Sequence, residues 1–592
     1  MKLSRVLFLI FIFPATANVA LKANPSDSII FRALDDELRR NLDSLVYEDY
    51  ERPFFISYML GDIRQGNITA KLGAIVNSDD DFNRTWYARV IVGDYELNDE
   101  NFSQLSQSNE DQEMDYIQLP VDNDYFGIRR TFWVVSNNTY KSAAKSFREK
   151  MDVMEKNNLT RDDLKADDFA RVPVVVKEIP GNRHPFETTR YKNLLRKISG
   201  KFNDYSDLHD SWVSLDYFDA IVYFLNSEGS RVRKPLSIFL LSIFSGTYAD
   251  DGEYLSDIYR VIVADPADLP PADSLVNVSG ELIHNLLAKR EARAVEETYI
   301  GPVLFSGSIV PAYLSRALFT GEENLIASRE PLYNKPGHSL YYGNGNGSLE
   351  SRFNKKVTEE GISVYALSDQ TAAFSKKPVG FFQVDSEGVI PPDSLVLIEN
   401  GFLRNLLNDR TPTEKISTSN GHARLSVTHG GISRQIAPGI VKVNKSDGVT
   451  CKDLKALFLQ ECKDNGLDYG IMIKSAFPGD VSSLLNFYRV WVDDGREELI
   501  RSLSMNGFQF SNLKDVMSAT KEMQVFNGLL SGQFLQTGVD SFMPGISGMM
   551  IQGVPFTMIA PHSILIDDLE LEPVQKAILF QKPHVSNPLH EK

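Results

Sequence analysis

Apolar runs of strand length, cut by short turn sequences, dominate this chain and fix its class. From Trp212 to Asp265 the sequence reads WVSLDYFDAIVYFLN, then the turn SEGS, then RKPLSIFLLSIFSGTYA and LSDIYRVIVAD. Alternating apolar positions with tight turns between them predict antiparallel pairing. Upstream, PFFISYML, NITAKLGAIV and TWYARVIVGDYEL predict three shorter strands separated by acidic or turn-rich pieces. Downstream, LVLIENGFLRNLL (395–407) predicts a hairpin at Asn400-Gly401, and NFYRVWVDDGREELIRSLSM (486–505) another at Asp494-Gly495. GPVLFSG (301–307) reads as a buried strand, and VPFTMIAPHSILIDDLELE (554–572) as a closing pair of strands. Helical spacing appears between these runs. Ile30, Leu34, Leu38, Leu42 and Leu45 mark a helix over 28–46; further helices are predicted at 140–157, 187–202, 273–293 and, short and capped, 511–520.

A chain of 592 residues exceeds what one hydrophobic core organises, so at least two domains are expected. The pattern is α+β: a mixed α/β N-terminal domain over 24–295, a strand-dominated C-terminal domain over 296–580, and a tail at 581–592. Residues 1–23 read as an address. Lys2 and Arg5 precede the apolar run Val6–Phe13, Pro14 breaks it, and cleavage is expected after Ala17 or Ala23. That run is far short of the roughly 20 residues a membrane span needs, and no Cys lies near it to carry a lipid. An exported protein, periplasmic in a two-membrane cell, is the expectation. The formal net charge of −17 lacks the basic footprint of a nucleic-acid binder. Cys451 and Cys462 flank KDLKALFLQE, and eleven helical steps would hold their Cα atoms beyond disulfide reach. Two separate thiols and a bond both stay open, but two cysteines alone cannot make a structural zinc site.

Several second-half segments, in order and in register, resemble the TldD/PmbA family of metallopeptidase-like proteins. They are GPVLFSGSIVPAYLSRALFTGEEN, DSEGVIPPDSLVLIENGFLRNLLNDR, TSNGHAR, DDGREELIRSLSMNG, VFNG and VPFTMIAPHSILIDDLEL. In the first half, SLDYFDAIVYFLNSEGSRV resembles the family's strand-and-turn region, whereas residues 50–190 match poorly. The resemblance implies a two-domain, TldD/PmbA-like architecture, a homodimer or a heterodimer with a TldD-like homologue, and a groove for peptide or unfolded polypeptide. It also implies zinc proteolysis in the TldD-like members, through His-Glu-x-x-x-His on the helix after the GPVLF-like strand and a Cys in a Gly-rich C-terminal loop. PmbA-like members lack the His motif and act as partners.

Laid on this sequence, that motif falls on Ser315, Arg316 and Thr320, and the Gly-rich loop PGISGMMIQG (544–553) contains no Cys. Zinc hydrolysis needs about three ligands from Cys, His or carboxylate, with one position left for water. Hydroxyls are poor substitutes, and a permanently charged guanidinium repels a cation and cannot act as a base. No His occurs between His284 and His338, so a register shift does not rescue the motif. His422 and His429 are the weak alternative metal pair, seven residues apart around ARLSVT and on opposite faces if that stretch is a strand. Asn420, Gly421 and Arg424 of TSNGHAR are the candidate substrate contacts, with Arg424 placed to meet a carboxylate. The sequence predicts no catalytic residue, no bound cofactor, no nucleic-acid partner and no membrane span. The favoured reading is a family member without zinc catalysis that binds extended peptides or partners an active homologue. The alternative is an active metal-dependent peptidase with relocated or partner-supplied ligands.

Overall fold

The predicted antiparallel run at 212–265 is the centre of the first half. The computed structural model describes residues 25–102, 117–329, 331–332, 349–368, 376–428, 431–475, 485–505, 508–530, 551–574 and 588. The proposed signal peptide, His429 and most of PGISGMMIQG lie outside them. In order, the first half contains α1 (Pro25–Ser44), β1 (Pro53–Lys71), β2 (Ala74–Val92), α2 (Tyr125–Lys156), β3 (Val176–Glu178), α3 (Thr188–Gly200), β4 (Asp210–Asn226), β5 (Arg231–Tyr248), β6 (Tyr254–Val263) and α4 (Ala272–Glu291). The strands make one sheet in the order β2-β1-β4-β5-β3, with β6 also on β5.

Two first-half expectations change. The three short strands are two long ones, β1 and β2, paired antiparallel from Pro53↔Val92 to Lys71↔Ala74 with a register shift near each end. The acidic stretch NSDDDFNR does not break β2, because that strand is outermost and Asp79, Asp80 and Asp81 are exposed. The helix expected at 140–157 begins at Tyr125, where Asp124 accepts a hydrogen bond from the Gly127 amide at 2.5 Å.

Side-chain parity explains why β4 is buried along nearly its whole length. One sheet face, with Ile56, Tyr58, Leu60, Ile221 and Tyr223, packs against α1 and α2. Further along the same face, Val213, Leu215, Phe239 and Leu241 pack against α3 and α4. The opposite face presents Met59, Val222 and Phe224 to Val384 and Leu425. It also presents Ile63, Phe218, Ala220 and Ile238 to Val379, Val427 and Ile551. Four helices therefore cover one face and the second half of the chain covers the other.

That second half contains β7 (Arg293–Ala294), β8 (Tyr299–Ser306), α5 (Ile309–Phe319), β9 (Ile362–Leu367), β10 (Ser394–Glu399), β11 (Phe402–Leu403), β12 (Ala423–Thr428), β13 (Gly431–Ile436), β14 (Ile440–Lys445), α6 (Cys451–Asp464), β15 (Tyr469–Ser475), β16 (Leu485–Trp491), β17 (Glu497–Arg501), β18 (Leu503–Met505), β19 (Val516–Ala519), β20 (Met523–Leu530), β21 (Val554–Pro561) and β22 (Ser563–Pro573). One sheet runs β11-β10-β9-β14-β21-β20; another runs β18-β22-β8-β15-β16-β17-β7, with β19 on β22; β12 and β13 form a separate pair. The expected closing pair is a correction: β21 and β22 are consecutive but belong to different sheets, separated at His562. So is the helix at 511–520, which is a short 3-10 turn over Phe510–Lys514 followed by β19. Asn400 and Gly401, at φ 48° and 85°, make the predicted hairpin turn.

Buried β4 carries a carboxylate, Asp216, 3% exposed. It accepts Asn67 Nδ2 at 2.7 Å and Ser214 Oγ at 3.0 Å. Burial pushes its pKa up to about 7, against these hydrogen bonds and the Arg260 charge. The unfolded chain ionises this group near the ordinary 3.8, so it loses its proton first as pH rises, and the contribution to stability falls between about pH 4 and 7. Relative to Asp216→Asn, the wild type should lose urea-denaturation stability over that window. A pH-independent difference between the two would contradict this account.

Candidate functional site

Helix α5 follows β8 through Gly307, whose φ of +83° lets the chain turn back over the sheet. Ile309, Val310, Tyr313, Leu314, Ala317 and Leu318 are all buried, and the helix sits between the two large sheets. Tyr313 packs edge-on to Phe305 with centroids 5.7 Å apart. Beside Leu314 and Leu318 lies an apolar cavity of about 20 Å³, also lined by Ile362, Val443 and Val516. The helix ends as the Thr320 and Gly321 amides both donate to the Arg316 carbonyl.

The three motif positions make local contacts. Ser315 is fully buried, and its Oγ donates to the Ala312 carbonyl at 2.7 Å. Thr320 Oγ1 donates to the Arg316 carbonyl at 3.1 Å. Both are hydroxyl-to-backbone bonds of the kind helices use to satisfy a buried polar group. Arg316 is half-buried, and its positive charge is disfavoured beside a divalent cation. The donor set therefore does not fit zinc. Among the described residues no group of three His, Cys, Asp or Glu is placed to hold a metal ion.

The alternative candidates also prove internally engaged. His422 is buried with Nδ1 at 2.9 Å from both the carbonyl and the side-chain oxygen of Asn420. Burial, with the nearby Arg424 charge, pushes its pKa down to about 3. The imidazole is neutral, but that same cation opposes a metal beside it. Asn420 is bonded to Asn408 in both directions, at 3.0 and 2.8 Å, and donates to the Leu406 carbonyl at 2.8 Å. Gly421 has φ +75° and lies so close to Pro391 that a Cβ would come within 2.8 Å of its nitrogen. Arg424 is 6% exposed, donates to the carbonyls of Gly380, Pro438 and Pro555, and stacks 3.9 Å over Phe382. TSNGHAR is a brace inside the C-terminal half. Cys451 and Cys462 are both free, and burial pushes the Cys462 thiol up to about 12, away from nucleophilic use.

A buried ionic cluster at the seam between the two halves was not singled out by the sequence reading. Glu387 Oε1 accepts Arg89 Nη1 at 2.5 Å and also pairs with Arg434; Glu387 Oε2 accepts the Arg410 amide at 2.9 Å. Arg410 is fully buried, makes a two-pronged bond to Glu228 at 2.6 and 2.7 Å, and donates to the Ala170 carbonyl. Its guanidinium lies 3.9 Å over Phe169. Asp385, two residues before Glu387, caps the turn by accepting the Glu387 and Val389 amides at 2.8 Å each. Lys234 of β5 reaches across to the carbonyls of Val384 and Asp385 at 2.9 and 2.8 Å. Between Ser57, Tyr87, Arg89, Ser386 and Arg434 remains a cavity of about 10 Å³, room for roughly one water. The Ser386 hydroxyl borders it without a partner among the described residues. A peptide does not fit there. The only sequence signal for this cluster is single charges inside otherwise apolar stretches, such as Arg89 in ARVIV.

Residues 337–571 match the family profile described as the PmbA/TldA metallopeptidase C-terminal domain. Comparison with curated protein sequences gives no match. A Thermotoga maritima structure described as a candidate modulator of a DNA gyrase superposes with TM-score 0.52 at 12% identity, covering 92% of this chain and 99% of its own. TldE from Thermococcus kodakarensis superposes with TM-score 0.50 at 14% identity, covering 91% and 100%. At those identities the likeness is one of fold.

Removing one partner of a buried ion pair leaves the other charge stranded, at a cost of about 3–5 kcal/mol. Arg410→Ala should therefore lower stability to urea by an amount in that range. A loss below about 1 kcal/mol would show that Glu228 and Ala170 do not depend on Arg410 for their place in the seam.

Proposed function

The chain belongs to the PmbA/TldD family, and from that premise we propose that it is a non-catalytic member which acts by binding. The observation that carries the reading is the chemistry of α5. Where the family's zinc-cutting members place two imidazoles and a carboxylate, this helix has two hydroxyls bonded to its own backbone and a guanidinium. Such a set can neither hold a divalent cation nor take a proton from water. The role that needs no metal is partnership with an active, TldD-like relative, with homodimer formation as its symmetrical counterpart.

Peptide binding is the second binding mode in this proposal, and the seam constrains where it acts. The seam is filled by apolar contacts and ion pairs, so a bound peptide needs a surface strand edge instead. Main-chain hydrogen bonds at such an edge require no catalytic group. The outermost strand β2 pairs only with β1 over Ala74–Phe82 among the described residues, which favours it as that edge. We further propose export to the periplasm, on the strength of the sequence pattern over Lys2–Ala23.

Elemental analysis of the purified protein, paired with an assay on an unstructured polypeptide, tests the reading. No stoichiometric zinc and no chelator-sensitive cleavage are expected. Zinc at one equivalent, lost together with cleavage on chelation, would establish the active-peptidase alternative. Affinity capture from the exported fraction then addresses partnership: a TldD-like chain at equal stoichiometry is expected, and its absence removes the heterodimer from the proposal.

A further inference from the structure

The path of the N-terminal sheet ends in β2 on one side and β3 on the other, and the two edges differ in chemistry. β2 exposes Asp79, Asp80 and Asp81 in a row. β3 lies in the stretch VPVVVKEIP (172–180), where Val174 and Val176 are 56% and 71% exposed. An apolar strand left open at a sheet edge is a template for another strand.

Backbone direction decides which groups are open. In a parallel ladder, alternate residues turn their amide and carbonyl toward one neighbour. Val175, Lys177 and Ile179 face β5. The Val175 carbonyl accepts the Arg231 amide at 2.8 Å, the Val175 amide donates to Ser230 Oγ at 3.1 Å, and the Ile179 amide donates to the Arg233 carbonyl at 2.8 Å. Val174, Val176 and Glu178 therefore turn theirs outward, where no strand pairs among the described residues. Val175 is buried among Met59, Val222 and Phe224, which fixes the strand and leaves Val174 and Val176 on the outside. Glu178 lies 3.9 Å from Arg231, whose guanidinium is 3.9 Å over the Phe31 ring of α1. Pro173 and Pro180 bound the open edge, since neither has an amide to donate.

We propose that this edge pairs with the same edge of a second copy of the chain, antiparallel across a two-fold axis at Val176. The stretch is complementary to itself in that register. Val176 meets its own counterpart, Val174 meets the counterpart of Glu178, and Val175 meets the counterpart of Lys177, so no like charges stand opposite each other. The outward amides and carbonyls of Val174, Val176 and Glu178 then find their partners in the same three residues of the second chain. The prolines limit the pairing in both chains to the same stretch, and a contact of this symmetry closes after two copies. β2 is unsuited to this role, because its three aspartates would bring like charges together. The inference rests on the homodimer of the binding proposal and supplies its interface; it does not depend on whether α5 holds a metal.

Light scattering over a concentration series, combined with crosslinking, tests it. A short edge pairing makes a small interface, so the mass should climb from monomer to dimer as concentration is raised. Val176→Lys should raise the dimer dissociation constant about tenfold by placing two ammonium groups on the axis, with thermal melting unchanged because the side chain is exposed. Val176→Cys, in a Cys451→Ser background that removes the exposed native thiol, should crosslink to its own counterpart, since hydrogen-bonded residues opposite each other lie about 5.5 Å apart. Val174→Cys, two residues off the axis, should not. A dimer that withstands Val176→Lys, or that leaves Val176→Cys uncrosslinked, overturns this interface while the homodimer itself stands. A monomer at every concentration overturns both. A monomer that captures an unstructured valine-rich peptide, with capture lost in Val176→Lys, assigns β3 to a peptide and overturns the proposal as well.

Discussion

Everything in this architecture depends on burial of both faces of the N-terminal sheet. A sheet with one wet face tolerates polar residues at every second position. Here β4 presents apolar side chains to helices on one side and to the C-terminal half on the other, and the two halves cannot separate without exposing that second face. Apolar contact of this kind is non-directional and does not by itself fix how one half sits on the other. The ionic cluster at the rim supplies direction. Arg410 meets a carboxylate, a carbonyl and a ring at fixed angles, and Glu387 is shared between Arg89 and Arg434. Buried pairs of this kind add little net stability over well-packed apolar substitutes. Their effect here is on registry, because any shift of one half strands several charges together.

The extent to which this was legible in the sequence follows from the range of each interaction. Local rules found what local rules govern. The helix at Ile30–Leu45, the antiparallel run at 212–265, and the turns at Asn400-Gly401 and Asp494-Gly495 are all set by neighbours in sequence, and each is present. Errors arose where tertiary context overrode a local cue. Three aspartates inside β2 read as a break, but an outermost strand keeps its backbone pairing to β1 whatever its solvent face carries. Residues 511–520 have helical composition, but Val516–Ala519 pair with β22, and the gain from extending that sheet outweighs weak helix propensity.

The sites divide in the same way. That Ser315, Arg316 and Thr320 are unsuited to zinc follows from side-chain chemistry alone. That Arg424 braces three backbone carbonyls, instead of facing a ligand, depends on Gly380, Pro438 and Pro555 converging on it from distant parts of the chain. The Arg89–Glu387 contact joins residues 298 apart in sequence. No pattern within a short window carries information of that range.

The packing of α5 also explains how such a fold accommodates motif positions without zinc donors. A zinc site built on a helix asks for side chains that project into a cavity and are held there by a charge they surround. Ser315 and Thr320 ask for nothing outside their own turn, since each hydroxyl is satisfied by a carbonyl three or four residues earlier. The packing that positions the helix comes from Tyr313, Leu314, Ala317 and Leu318, none of which coincides with a motif position. Core and chemistry are thus carried by separate residues of one helix. The ligand positions can therefore differ without disturbing the sheets on either side.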